Sequence, residues 1–234
     1  MNRHADRHAD GHADGHAETV STTPWRQRFL AAEFVLVWFG VPALLAWGPW
    51  RVLPIPVLWL ASAIGLTALL LDRTFDRRTL VDVAAVRTGA LGAIARAGLV
   101  AAAIAGLTLL IAPDRFLEFP RERPEIWALV VLLYPLLSVV PQTVLYRSLL
   151  AHRYRGLFGE GLAMTVAGGM AFGFAHVLFR NGIAPALTLV GGLVLMRTYL
   201  GHRSAPLSAF EHALYGLAVF TFGLGRWFYG GAIS

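Results

Sequence analysis

Three stretches of this chain set residues able to carry or move charge inside apolar helical text. Pro141 to Arg147 holds Gln142, Thr143 and Arg147, a second stretch ends on His176, and a third holds Glu211 and His212. An imidazole can relay protons or bind a metal, a guanidinium grips a carboxylate with two parallel donors, and a carboxylate near hydrogen-bond reach of water can act as general base. Ionisable groups at membrane depth are costly unless they meet a partner or a water-filled cavity, so such groups on three helices point to one buried site. The Pro141 to Arg147 stretch contains no carboxylate. Three protein ligands plus water form a catalytic zinc pattern, and His176, His212 and Glu211 offer such a set. Yet adjacent residues diverge by about 100° around a helix, which makes joint ligation by Glu211 and His212 awkward.

The elements that must position these groups are membrane helices. Hydrophobic residues make up 56% of the 234 residues, and the mean hydropathy is +0.59; a soluble domain carries roughly 45–50% apolar residues. The apolar runs are about 18 to 22 residues long, enough to cross a roughly 30 Å hydrocarbon layer as helices. They lack the alternation of a membrane barrel. The reading is an all-α, polytopic membrane bundle of about seven transmembrane helices, near 29–48, 53–71, 92–112, 126–150, 162–179, 183–200 and 207–225. Arg96 in the third is expected near an interface, where its side chain can snorkel. The charged segment from Asp72 to Arg87 is expected to lie along the membrane surface.

Residues 1–24 repeat Arg-His-Ala-Asp and its variants, spacing His4, His8, His12 and His16 four apart. So little apolar content predicts a disordered tail, with weak metal binding by the histidines as the alternative. Residues 25–125 form the N-terminal helices and the surface segment, and 126–234 the core with the candidate site. Every one of the 20 basic residues is Arg, and there is no Cys. The arginines are spread over several loops without a basic stripe, which speaks against nucleic acid. Their distribution favours a cytoplasmic N-terminus by the positive-inside rule. Gly168-Gly169 and Gly191-Gly192 read as close-packing points between helices.

The three polar stretches, in their order, resemble the CPBP family of intramembrane proteases, which includes CAAX prenyl proteases and bacteriocin-processing enzymes. That family's pattern is Glu-Glu-x-x-x-Arg, Phe-x-x-x-His, then His-x-x-x-Asn or Asp. Here Gln142 to Arg147 takes the first place, Phe172 to His176 the second and His212 to Gly216 the third. The flanking text is similar to a bacterial branch whose first motif reads Pro-Gln-Glu, against which Thr143 is the odd residue. The resemblance implies a hydrolase of the bacterial inner membrane acting on a membrane-associated peptide or protein, with His176, His212, Arg147, Gln142 and Thr143 in the site.

The departures bear on chemistry. In the family a first-motif glutamate activates water, and neither Gln142 nor Thr143 can accept that proton. Gly216 lacks the side chain that would help hold an oxyanion, where one lost donor costs about 2.7–4 kcal/mol. Arg147 loses the carboxylate four residues before it. Glu211 is the expected substitute, either as partner of Arg147 or as base. The competing functions are therefore an endopeptidase and a non-catalytic membrane protein that binds a peptide in the same pocket. A small transporter is disfavoured, since no inverted repeat is visible.

Overall fold

The computed structural model describes residues 23–49 and 53–228. The His-rich repeat lies outside the described residues. Helices dominate, and no strand occurs among the described residues. Six stretches are long and apolar enough to cross a membrane: α1 (Pro24–Trp47), α2 (Pro54–Leu71), α3 (Ala84–Ile111), α4 (Pro124–Arg153), α5 (Leu162–Phe179) and α6 (Ile183–His202). The seventh expected span is α7 (Ala205–Phe222), also a full helix but less apolar because it carries Ser208, Glu211 and His212. The chain is a multi-pass membrane bundle.

Local chemistry sets the helix ends. Proline opens α1, α2 and α4, where a missing N–H costs nothing. Ser204 caps α7 by accepting from the Leu207 N–H at 3.2 Å, and its own hydroxyl donates to the Asp82 carbonyl. Gly223 ends α7 at φ 106°, a left-handed conformation suited to glycine. The third span starts earlier than 92, because the Asp82 carboxylate caps its first turn and the surface segment shrinks to Asp72–Val83 around a 3-10 turn at Arg77–Leu80.

Helix α4 is not regular. It passes through wide π turns at Pro135–Val139 and Val144–Leu149, on either side of Gln142 and Thr143. Pro141 supplies no N–H to the carbonyl four residues earlier. That carbonyl, on Leu137, instead accepts from the indole N–H of Trp59 at 3.0 Å, which ties α2 to the bend. Wide turns of this sort concentrate at functional sites because they re-aim side chains.

Helices α5 and α6 pack closest. A Cβ placed on Gly192 would stand 3.1 Å from the Gly169 Cα, and one on Gly169 would meet Leu193. Gly191 is looser, with only Tyr215 at 4.0 Å.

One end of the bundle is held by polar contacts. The His152 imidazole donates to Asp72 at 2.9 Å, Thr74 donates to the same carboxylate, and Arg153 grips Glu33 with two donors while the Tyr154 hydroxyl adds a third. Glu33 on α1 is thereby tied to Arg153 and Tyr154 at the end of α4. The His152 contact, followed by those of Thr74, holds the Asp72 carboxyl well below the usual carboxylate range. A carboxyl with a depressed pKa contributes its stability in full above its unfolded pKa of about 3.9 and loses it as pH falls through the folded value. The expected result is that Asp72→Asn lowers the unfolding temperature at pH 7, and that the gap from the native chain narrows only as pH drops below about 4. Thermal melts at stepped pH read it directly.

Candidate functional site

The candidate residues gather around one aromatic ring. Phe172 on α5 has His176 at 4.8 Å and His212 at 5.3 Å between ring centres, both edge to face. The Arg147 guanidinium lies over the Phe172 face, 4.7 Å from its centre. Phe172 is thus the hub on which α4, α5 and α7 converge. The bends in α4 and the close approach of α5 to α6 bring these groups within reach.

A cavity of about 700 Å³ opens beside this cluster. Tyr134, Ser138, Gln142, His176 and His212 bring polar atoms to its wall, as do Thr188 and Tyr215, and the rest of the lining is mostly apolar, Phe172 included. The volume falls within the roughly 300–1,000 Å³ of small-ligand pockets. Several wall residues, among them Leu129, Leu137 and Val190, are exposed, so the cavity is open and not sealed. Among the described residues, no Asp or Glu lines it.

Most of these side chains have a partner, although the Gln142 amide oxygen is buried without one among the described residues. The His176 Nδ1–H donates to the Phe172 carbonyl at 2.7 Å, which in a neutral ring leaves Nε2 as an acceptor. The Tyr134 hydroxyl stands 3.4 Å from His212 Nε2. The Gln142 amide N–H donates to Ser138 at 2.6 Å. Thr143 is buried, and its hydroxyl donates to the Val139 carbonyl at 2.8 Å. It is spent on its own helix rather than presented to the cavity. Arg147 is only 2% exposed, and among the described residues its one hydrogen bond goes to the Tyr146 carbonyl at 3.0 Å. No carboxylate pairs with it among the described residues.

Glu211 does not take the place expected of it. Fully buried, it accepts from Arg96 Nε at 2.6 Å and Nη2 at 3.0 Å, from Thr198 at 2.7 Å and from Tyr215 at 2.6 Å. Arg96, not Arg147, is its ion-pair partner, and four donors leave the carboxylate no free lone pair for water. The neighbouring position explains this. His212 faces Phe172, so Glu211, rotated by about 100°, faces α3 and α6. Arg96 is corrected too: its guanidinium reaches inward to Glu211 instead of outward to an interface, although 41% of its side chain stays exposed. The zinc set loses its third ligand by the same geometry. No three His, Asp or Glu side chains gather into a metal site among the described residues.

Tyr134 escaped the sequence reading because a tyrosine in an apolar run looks like packing. The signal was on another helix. A side chain at Gly216 would collide with the Tyr134 hydroxyl and ring edge, so Tyr134 fills the space that glycine leaves beside His212. Comparison with protein-family models, with curated proteins and with solved structures finds no match.

Proposed function

We propose that the chain is a bacterial inner-membrane protein built like a CPBP-type intramembrane protease, whose cavity binds an apolar, membrane-embedded segment without hydrolysing it. The absence of a carboxylate from the cavity wall carries this reading, since Glu211 is saturated by Arg96, Thr198 and Tyr215. Water activation at neutral pH needs a base with a matched pKa within reach of the water. An amide at Gln142 and a hydroxyl bound to its own helix at Thr143 supply none. With the N-terminus cytoplasmic, the Asp72–His152 end also faces the cytoplasm.

One observation favours the endopeptidase instead. His176 keeps Nε2 available in the wall, with its ring fixed by the Phe172 carbonyl, the arrangement a histidine base requires. The two readings separate in proteoliposomes holding the full chain with a photo-crosslinking amino acid at Leu187, a wall residue. Crosslinking of an apolar transmembrane peptide that stays intact is expected. Cleavage that disappears in His176→Ala would establish the endopeptidase and end the binding-only reading.

A further inference from the structure

His176 gives the cavity wall an accessible acceptor that nothing answers among the described residues. Its Nδ1–H is spent on the Phe172 carbonyl, so in a neutral ring Nε2 can only accept. The three aromatic rings around this imidazole, Phe172, Phe179 and Phe228, line the cavity with it. No donor among the described residues meets Nε2, and it is not one of the buried orphan atoms, so it faces open space. The other polar groups of the wall are engaged. The Thr188 hydroxyl donates to the Ala184 carbonyl at 2.7 Å, the Tyr215 hydroxyl to Glu211, and the Gln142 amide to Ser138. Tyr134 and His212 face each other at 3.4 Å. The Gln142 amide oxygen also lacks a donor, but it is shut in.

The wall also restricts what kind of donor can answer it. Among the described residues no Asp, Glu, Lys or Arg lines the cavity, so a charged group entering it loses water and meets no counter-charge. A bare alkyl group strands Nε2, the costly outcome for a polar atom cut off from water. An uncharged donor remains. Two turns of a helix about 10 Å wide occupy about 850 Å³. That exceeds the cavity's 700 Å³, so a membrane-spanning helix lies against the open side and only its side chains enter. The backbone N–H groups of such a helix are already bonded within it, so the donor is a side chain. Ser and Thr are the donors that recur where membrane helices meet closely. We infer that the cavity recognises a membrane-spanning segment by one Ser or Thr hydroxyl, which donates to His176 Nε2 while apolar neighbours of that residue fill the rest. This rests on reading the cavity as a binding site for such a segment.

The Leu187 photo-crosslink of the full chain in proteoliposomes tests this with Leu-rich membrane-spanning peptides that differ at one residue. Thr, Val or Lys is placed in turn at each of about four consecutive central positions, one helical turn. Thr and Val have nearly the same shape, so their difference reads the hydroxyl. At one position or more the Thr peptide is expected to crosslink about 3-fold more than its Val twin, a modest gain because that hydroxyl otherwise bonds its own helix. The Lys peptide is expected to crosslink less than either. His176→Phe keeps an aromatic ring and removes the acceptor, so it should bring the Thr yield down to the Val yield without lowering the latter. If that variant does not fold, nitrogen NMR of the native chain decides: the Nε2 resonance of His176 should shift with the Thr peptide and stay in place with the Val peptide. Equal Thr and Val yields at every position overturn the inference and leave the binding reading standing. A Thr preference that survives in His176→Phe, or a Lys yield matching that of Thr, overturns it too. No crosslink with any peptide overturns both.

Discussion

Arg96→Ala is expected to destabilise the bundle by about 3 kcal/mol, near the lower end of the cost of breaking a buried ion pair. The loss arises on the glutamate side. Glu211 is fully buried, and without the guanidinium its charge keeps only the Thr198 and Tyr215 donors, which places the cost at the lower end of that range. For a chain of this size the midpoint should fall by about 6–12 °C. The double variant Arg96→Gln with Glu211→Gln removes both charges and should recover much of that loss, because neutral amides avoid an orphaned ion. A double variant no more stable than Arg96→Ala would show that the pair acts through packing alone.

Gly173→Val is the second large effect. A Cβ at this position would sit 2.8 Å from the Leu189 Cβ, 2.9 Å from its Cα and 3.0 Å from its N. These are backbone atoms or bound directly to backbone, so no rotamer change relieves the clash and α5 must move off α6. Overpacking of this sort costs about 3 kcal/mol at the upper end of its usual range. Gly168 contrasts with it, because the atom in the way is the flexible end of Met196, which can swing aside. Gly98 has nothing within 4 Å, so Gly98→Ala should be neutral or slightly stabilising through helix propensity. The ordering of Gly173→Val, Gly168→Ala and Gly98→Ala in thermal melts checks the argument. Because Phe172 and His176 flank Gly173 on the same helix, Gly173→Val should also weaken crosslinking in the cavity.

The spans were legible because apolar run length reports membrane crossing almost without context, and α4 differs from the expected 126–150 only at its ends. The third span was read too short, since Arg87 counted as surface charge, and Arg96 within it was expected to turn outward to an interface. Hydropathy along the chain has no means of seeing that the partner of Arg96 lies on α7. The same blindness misassigned Glu211. Its identity as a buried acid was readable, but which of two arginines it would meet depends on how α3, α6 and α7 pack. The convergence of His176 and His212 on Phe172 followed the order of the motifs, whereas Tyr134 became visible only through the room left at Gly216. The wide turns of α4 were marked in the sequence by Pro135 and Pro141, although their effect on the aim of Arg147 was not.

The pairing of Arg96 with Glu211 also constrains how the protein is made. The two residues are 115 apart in the chain. At about 5–20 residues per second, a ribosome needs about 6–23 s after Arg96 emerges to deliver its counter-charge. During that interval α3 presents a guanidinium to the translocon or bilayer with no protein partner. Closure of the pair marks the arrival of α7, so a chain cut short before α7 keeps an unanswered charge on α3.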